Sequence, residues 1–173
     1  MTHWCSTVPS PVGTLTLVAS ETALVAILWE NDAPGRVRLP APVERPDHPV
    51  LAETARQLAG YFAGERRTFD LPLDFRGTPF QKRVWAALLD IPFGETRSYA
   101  EIARAIGAPA ASRAVGAANG RNPISIVAPC HRVVGANGAL TGFAGGLEAK
   151  RYLLRHEEVA WSLPLEEPRA AVA

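Results

Sequence analysis

The hydrophobic pattern changes its period at residues 76–79 of this 173-residue chain, and that change limits the possible folds more than any other feature. Before it, apolar residues alternate or form short runs, as over residues 13–20 and 23–29, which predicts β-strands. After it they recur every three or four positions, which predicts amphipathic helices. We therefore expect an α+β protein with a small α/β domain at residues 1–76 and a mostly helical domain at residues 77–160.

The first domain is predicted to hold a short sheet and one helix. A turn at residues 20–22 would join the two strands into a hairpin. The proline-rich and polar residues 31–49 predict a loop, and Asp47 is expected to cap a helix over residues 50–63. Alternation of Phe69, Leu71 and Leu73 predicts a further strand over residues 67–75.

Four helices are predicted after residue 77, and two of them form a helix-turn-helix. The first has an apolar face made of Val84, Trp85, Leu88 and Leu89. Ser98 with Glu101 is a capping box that opens the second helix, which Gly107 ends. A short turn and a helix over residues 111–120 follow, an arrangement typical of helix-turn-helix proteins. The last helix covers residues 146–160, and a loose tail is expected over residues 161–173.

The helix over residues 111–120 is made almost wholly of small residues, and Arg113 is its one long side chain. A helix that identifies bases in the major groove normally carries several long polar side chains. This helix therefore indicates either sequence-tolerant docking on DNA, for instance against the minor groove, or tight packing on another helix. Residues 77–160 carry a net charge of +4 and residues 1–76 a net charge of −2, which permits a nucleic-acid partner without requiring one.

Composition restricts the setting of the protein. Hydrophobic residues make up 47% and charged residues 20%, as in soluble globular proteins, and no apolar run is long enough to cross a bilayer. The N-terminus lacks the basic start and apolar core of a secretion signal. Cys5 and Cys130 are too few for a disulfide framework, so we expect a reducing, cytoplasmic environment.

Cys130 lies between a proline and His131, inside the apolar run of residues 126–135. A buried cysteine is usually an inert small hydrophobe, whereas one beside a histidine can be a nucleophile. Neighbouring side chains generally diverge, so His131 would need a turn or a bridging water to serve Cys130. A carboxylate would have to hold the imidazole, and Glu157 and Glu158 are the candidates. Spacing alone leaves both interpretations open and favours the packed cysteine.

Three segments change that balance, namely "FGETRSYAEIA", "NPISIVAPCHRVVG" and "TGFAGGLEAKRYLL". They closely resemble the O6-alkylguanine-DNA alkyltransferases, also called methylated-DNA–protein-cysteine methyltransferases. The resemblance is continuous from about residue 77 to residue 157, while the N-terminal half is similar only in length and in its order of hairpin and helix. It implies a small α/β domain followed by a mostly helical domain with a winged-helix-like helix-turn-helix.

The resemblance implies a direct-reversal DNA repair reaction. An alkyl group, such as methyl, would move from O6 of guanine to Cys130 in a single turnover, with O4 of thymine left open as a second target. His131 would be the water-linked base, and Glu157 would orient it. Asn122 would brace the turn that presents the cysteine, and Tyr99 would donate a proton to the purine as the leaving guanine gains charge.

It also implies a partner, namely double-stranded DNA bound through the minor groove with the damaged base flipped out. Arg113 would fill the gap in the base stack. Further DNA contacts are expected from residues at the two ends of the same helix: Ala111, Ser112, Asn119 and Arg121. The pocket wall would consist of Val133, Phe143, Ala144 and Gly145, with the N–H of Ala144 or Gly145 near O6. The backbone of Cys130 and Val133 would receive the exocyclic amine.

The chemistry agrees with these residues. Alkyl transfer needs a soft nucleophile, stabilisation of the leaving anion and a dry pocket. The attacked atom is hidden in duplex DNA, so the base must be extruded. A thioether is not easily reversed, so each molecule should act once. We expect a monomer, and cooperative binding along DNA stays open.

Three features depart from the pattern of the family. Phe143 stands where many members have tyrosine, and Ala144 where some have serine. Some members bind structural zinc through two cysteines and two histidines in the N-terminal domain. Here that half offers His3, Cys5 and His48, one cysteine short, so no metal and no other cofactor is expected.

Two rival functions remain at this point. A non-catalytic binder of alkylated DNA would lack the reactive cysteine, which this chain has. A cysteine hydrolase using Cys130 and His131 would have no use for the helix-turn-helix. DNA carrying labelled O6-methylguanine separates the three, because a repair protein accepts one label per chain, a binder accepts none and a hydrolase turns over ester or peptide substrates instead.

Overall fold

The computed structural model describes residues 1–162, and it confirms the predicted α+β class. In chain order the elements are β1 (Trp4–Val8), β2 (Leu15–Ala19), β3 (Leu24–Leu28), β4 (Val43–Glu44), α1 (Pro49–Phe62), α2 (Pro79–Leu88), β5 (Arg97–Ser98), α3 (Tyr99–Ala105), α4 (Ser112–Gly120), a 3-10 turn (Cys130–Arg132), β6 (Val133–Val134) and α5 (Leu147–Ser162). The predicted tail is wrong for residues 161–162, which continue α5, and its remainder, residues 163–173, lies outside the described residues.

A four-stranded sheet forms the N-terminal half, in the order β3-β2-β1-β4. The predicted hairpin of β2 and β3 is confirmed, with Leu17 opposite Ile27. The sequence analysis missed β1, which pairs antiparallel with β2, and the two-residue β4, which pairs parallel with β1. The segment "WCSTV" lacks a clear apolar alternation, so its strand conformation depends on hydrogen bonds to β2 rather than on its own pattern.

Helix α1 packs its apolar face on this sheet. Leu51, Leu58 and Tyr61 are buried together with the inward side chains of β2 and β3. The predicted cap at Asp47 is wrong, because His48 is the N-cap and its Nδ1 accepts the Val50 N–H at 3.2 Å. Pro49 occupies the first helical position, where its missing N–H costs nothing, and this places the cap on the residue before it.

The predicted strand over residues 67–75 is also wrong. Only one isolated bridge forms, between Leu73 and Leu24. Pro72 cannot donate to a ladder, and the Gln57 side chain takes both backbone groups of Asp70, at 2.9 Å to its carbonyl and 2.8 Å from its N–H. The alternation was correct about the faces, because Phe69, Leu71 and Leu73 pack against the core. Pairing with β3 is limited to two backbone hydrogen bonds at Leu24, from its N–H to the Pro72 carbonyl and from the Asp74 N–H to its carbonyl.

The helices of the second half pack around a second apolar cluster. The predicted capping box of Ser98 and Glu101 begins α3, and a second box, formed by Thr78 and Gln81, begins α2. The Trp85 indole N–H donates to the Ala118 carbonyl at 2.8 Å and joins α2 to α4. Leu89 is 45% exposed, contrary to the prediction, because α2 ends at Leu88 and the chain leaves that face.

The two halves share backbone and side-chain contacts. The Ile27 N–H of β3 donates to the Pro123 carbonyl at 2.9 Å, so a short bridge extends the sheet edge into the second half. Arg36 pairs with Asp32 and donates to the Asn122 carbonyl at 2.8 Å. The segment between α4 and Cys130 is therefore held by contacts from β3 and from the loop that follows β3. No helix within residues 1–162 is long and apolar enough to cross a membrane.

Candidate active site

Cys130 begins the 3-10 turn and is 2% exposed. Its N–H donates to the Ala128 carbonyl at 2.7 Å. The preceding turn is strained, since Ile126 has a φ of +74°, a left-handed conformation that a β-branched side chain rarely adopts. Asn122 braces this turn, with its amide nitrogen 2.8 Å from the Ala128 carbonyl and its amide oxygen 3.1 Å from the Ile124 N–H.

The surroundings of the thiol act on its pKa in both directions. Burial raises the pKa of Cys130, whereas hydrogen bonds from Asn122 and Ser125 and the charges of Arg36 and Lys150 lower it in part. The balance leaves the pKa above its ordinary value. The resting cysteine is therefore a thiol at neutral pH, and it needs a base in order to react.

His131 and Glu157 form a buried pair, with His131 Nε2 2.7 Å from Glu157 Oε2. Three other hydrogen bonds reach this carboxylate: two from the Arg132 guanidinium, at 2.8 and 3.0 Å, and one from the Tyr61 hydroxyl, at 2.7 Å. Burial alone would raise the pKa of Glu157, but the hydrogen bonds of His131 and Arg132 and the charge of Arg132 hold it well below its usual range. Glu157 is therefore an anion that only accepts hydrogen bonds.

This anion decides which tautomer His131 adopts. Burial lowers the pKa of His131 against the opposing pull of Glu157, so the imidazole is neutral near pH 7. Because Glu157 can only accept, Nε2 must carry the hydrogen and Nδ1 must be the basic nitrogen. Nδ1 is buried and has no hydrogen-bond partner among the described residues. The site therefore presents a free base next to the cysteine, without a direct hydrogen bond between the two side chains.

Tyr99, Thr141 and Lys150 form a second polar group beside the cysteine. The Tyr99 hydroxyl is hydrogen-bonded to Thr141 Oγ1. Lys150 is fully buried, and its Nζ donates to the Val133 carbonyl at 2.7 Å and lies 3.4 Å from both oxygens of Thr141. If Thr141 accepts from Lys150 and donates to Tyr99, the Tyr99 hydrogen stays free for a ligand.

The predicted pocket residues lie on a loop that reaches the N-terminal half. Phe143 is partly buried and meets the ring of Trp29 edge-on, with centroids 5.3 Å apart. Ala144 and Gly145 line an open cavity of about 390 Å³ together with Trp29 and Glu30. Val133 is buried, and its carbonyl, one of the two acceptors predicted for an exocyclic amine, already accepts from Lys150.

Helix α4 has one buried and one exposed face. Val115 and Ala118 are buried, whereas Arg113, Ala114, Ala117 and Arg121 are exposed, and Ala111 and Ser112 are partly buried at its start. Asn119, which was expected to contact DNA, is 5% exposed, and its amide nitrogen lies 3.4 Å from the Cys130 carbonyl. The structure thus places Asn119 at the cysteine turn, away from the face that presents Arg113.

Sequence reasoning missed five residues of this site: Trp29, Tyr61, Arg132, Thr141 and Lys150. Only Lys150 carried a signal that could have identified it. It lies on the same face of α5 as Leu153 and Glu157, at spacings of three and four residues, and a lysine on a buried face needs a polar partner. The other four approach the site from distant parts of the chain or through backbone geometry.

The three residues considered for zinc do not meet. His48 caps α1, and His3 is buried with both ring nitrogens lacking a partner among the described residues. Cys5 is a free, partly buried thiol on β1. Within residues 1–162 no group of three or more potential metal ligands lies close enough to hold an ion.

A helix-turn-helix next to a buried cysteine that is served by a His–Glu pair defines a class of protein, one that brings a nucleophilic thiol to DNA. Two family models match this chain: the 6-O-methylguanine DNA methyltransferase ribonuclease-like domain at residues 4–75 and the DNA binding domain of the same enzymes at residues 79–159. The chain belongs to the 6-O-methylguanine DNA methyltransferase family and is a DNA-repair methyltransferase with a DNA-binding domain.

Individual relatives agree over nearly the whole length. The methylated-DNA–protein-cysteine methyltransferase of Mycobacterium tuberculosis is 51% identical over 160 residues, which cover 91% of this chain and 93% of that protein. The constitutive enzyme of Bacillus subtilis is 47% identical, covering 92% and 98%. A crystal structure of the Mycobacterium tuberculosis protein in complex with DNA matches with a TM-score of 0.84 at 48% identity, covering 92% of this chain and 94% of that one.

Proposed function

We propose that this protein repairs O6-methylguanine in double-stranded DNA by moving the methyl group irreversibly to Cys130. The observation that carries the assignment to Cys130 is the buried turn in which this thiol lies next to a neutral histidine whose basic nitrogen is free and whose other nitrogen is held by Glu157. Cys5 lies on β1, where burial and the charge of Glu44 raise the pKa of its thiol.

The reaction follows from the hydrogen-bond pattern. The Cys130 proton passes to His131 Nδ1 through a bridging water, and Glu157 stabilises the imidazolium that forms. The thiolate attacks the methyl carbon, the carbon–O6 bond breaks and its electron pair goes to the purine. Tyr99 donates its hydroxyl proton to the purine, and the donors Thr141 and Lys150 stabilise the phenolate that this step creates. The products are S-methylcysteine and an unmodified guanine.

The exposed face of α4 is the DNA-binding surface in this proposal. Its small residues let the backbone approach the minor groove, and Arg113 enters the stack where the damaged nucleotide has left it. Arg121 lies at the other end of the same helix and is exposed to the backbone phosphates. Asn119 supports the cysteine turn instead of contacting DNA.

The flipped base would lie between the cysteine turn and the loop of Phe143. Because Cys130 is 2% exposed, the loop must move outward before a guanine can enter. Phe143 can stack on the base without adding a hydroxyl contact, and the N–H of Ala144 or Gly145 is available to O6.

A cytoplasmic location and action as a monomer belong to the same proposal, since a reactive thiol suits a reducing compartment. Repair at O4 of thymine remains an open extension.

Duplex DNA that carries O6-methylguanine with a labelled methyl group tests the proposal. We expect one label per chain, located on Cys130 by peptide mapping, and no further turnover when DNA is in excess. Cys130→Ala should transfer nothing while still binding the lesion, and Cys5→Ala should behave as wild type. Label on Cys5, transfer by Cys130→Ala or multiple turnovers would contradict the assignment.

A further inference from the structure

We propose that Trp29 is a positioning residue for alkyl transfer, through which the N-terminal half sets the geometry of both the cysteine turn and the pocket loop. Trp29 directly follows β3 and is 5% exposed. It contacts two segments that lie about a hundred residues further along the chain, and each of them carries part of the site. The proposal rests on the proposed role of Cys130.

The first contact is a buried hydrogen bond. The Trp29 indole N–H donates to Ser125 Oγ at 3.1 Å, and Ser125 is fully buried. Ser125 opens the strained turn that contains Ile126, and its own carbonyl accepts the Val127 N–H at 2.9 Å. A hydroxyl in this position rotates unless a donor occupies its lone pair. The indole therefore directs the Ser125 hydrogen away from itself.

The cysteine sulfur is the group that benefits from this orientation. In this proposal the Ser125 hydrogen is directed to the Cys130 sulfur, where it stabilises the thiolate over the thiol and so lowers the pKa of the cysteine. The chain of groups runs from the indole N–H to the Ser125 oxygen, and from the Ser125 hydrogen to sulfur. The charged groups that face Cys130 are Arg36, from the loop after β3, and Lys150, from α5, and neutral His131 is its neighbour. The indole contact changes none of these charges.

The second contact is steric. The six-membered ring of Trp29 lies flat against Gly145, because a Cβ built on that glycine would be only 2.7 Å from three ring atoms. Phe143 also contacts Trp29, in an edge-type arrangement with the ring centroids 5.3 Å apart. The indole thus supports the pocket loop from below while its N–H holds the cysteine turn. One rigid side chain determines the distance between the nucleophile and the wall that receives the purine.

The test uses two changes that remove the N–H and one that removes its acceptor: Trp29→Phe, replacement of Trp29 by benzothienylalanine, which keeps the bicyclic ring, and Ser125→Ala. The second-order rate of reaction with free O6-benzylguanine is measured from roughly pH 6 to pH 10, a range that includes the ordinary pKa of a thiol. The benzothienylalanine and Ser125→Ala variants should each move the rising limb of the rate upward by about one pH unit, a roughly tenfold loss at neutral pH that disappears at high pH. Trp29→Phe also withdraws the six-membered ring from Gly145, so it should add a loss that is present at every pH.

A double variant shows whether Trp29 acts through Ser125. In the Ser125→Ala background, benzothienylalanine at position 29 should cause no further shift of the pH profile. Trp4→Phe is the matched control, since its indole N–H donates to Glu21 at 3.2 Å on the surface, and it should keep the wild-type profile.

Three outcomes would overturn the inference: a wild-type pH profile for benzothienylalanine at position 29, a rate loss that is equal at every pH, or full additivity with Ser125→Ala. Mapping of the benzyl group on the wild-type protein separates this failure from a failure of the proposed function. A benzyl group on Cys130 together with any of these three outcomes rejects only the role of Trp29. A benzyl group elsewhere rejects the assignment of Cys130 itself.

Discussion

At the scale of single residues, some side chains of this site act through their charge and others hold their neighbours in place. Glu157 is the central charge, because one buried carboxylate accepts from His131, from Arg132 and from Tyr61. Burial first raises the pKa of Tyr61, and the nearby carboxylate raises it further, so this phenol stays neutral and acts only as a donor to Glu157. The carboxylate therefore does two things: it selects the tautomer of His131, and it neutralises the buried Arg132.

Glu157→Gln should destabilise the protein at neutral pH and slow alkyl transfer. The substitution leaves the Arg132 charge buried without a counter-charge, for which a cost of about 3–5 kcal/mol is typical. The pKa of Glu157 is depressed in the folded protein, so its stabilisation is present above the unfolded value of about 4.5 and is lost as pH falls below it. The gap in unfolding free energy between wild type and variant should narrow at acid pH.

Urea unfolding at neutral pH and at about pH 3.5 measures this gap. Glu158→Gln is the control, because Glu158 is the exposed neighbour on the same helix and should show little effect at either pH. A gap of the same size at both pH values would mean that the loss comes from packing and not from ionisation of Glu157.

Helices and strands set the positions of these residues, and helix α4 has a different role on each of its two faces. Its buried face carries Asn119 to the Cys130 carbonyl and packs Ala118 under Trp85, while its exposed face presents Arg113. The packing interpretation of its small residues is therefore confirmed for the buried face, while docking on DNA stays a prediction for the exposed face. Gly116 packs on Tyr99, with its ideal Cβ position 3.7 Å from the ring, so the helix also supports the tyrosine that we propose as the proton donor.

Arg113→Ala should slow repair in duplex DNA much more than reaction with free O6-benzylguanine. Unstacking a base costs a few kcal/mol, and the exposed Arg113 would offset part of that cost by filling the gap. The free base needs no flipping, so its rate should stay within about twofold of wild type. Parallel rate measurements on the two substrates, with Arg56→Ala on α1 as the control, decide the matter. Equal losses on both substrates would show that Arg113 supports the fold.

At the scale of the whole molecule, the half that carries the proposed DNA-binding surface is basic, and Cys130 is buried in its core. Residues 77–160 carry a net charge of +4. If roughly 3–5 phosphates are neutralised, log K should fall with log of the salt concentration at a slope of about −2.7 to −4.5. Fluorescence anisotropy with undamaged duplexes of different sequence measures this slope. A flat salt response, or strong preference for one undamaged sequence, would reject the proposed surface.

Alkylation should destabilise the whole protein. Cys130 is 2% exposed and follows a strained turn, so an added methyl group has little space. Overpacking of this kind typically costs roughly 1–3 kcal/mol, and a thioether sulfur is also a weak acceptor for the Asn122 and Ser125 side chains beside it. The benzylated protein should melt below the methylated one, and both below the free protein. Thermal melting, with Cys130→Ala as the control, measures this loss of stability. Alkylated forms that melt at the same temperature as the free protein or above it would contradict the prediction.

The sequence by itself determined the structural features that depend on residues close together in the chain. The hairpin of β2 and β3 and the capping box of Ser98 and Glu101 follow from residues within a few positions of one another. Predictions from local sequence were wrong where a neighbouring residue could fill the same role. For example, His48 and not the predicted Asp47 caps α1. The segment that contains Cys130 and His131 was identified through its resemblance to a family, since its spacing alone favoured an inert cysteine.

Tertiary structure alone decided how the site is assembled. Tyr61 and Glu157 are separated by 96 residues, and so are Trp29 and Ser125, yet each pair is hydrogen-bonded in the core. Hydrophobic periodicity shows which face of an element is buried but carries no information about what lies opposite that face. The strained turn at Ile126, the free Nδ1 of His131 and the closeness of Trp29 to Gly145 all depend on such opposing contacts. For this reason the family could be recognised from the sequence, whereas the groups that activate and position its cysteine required the fold.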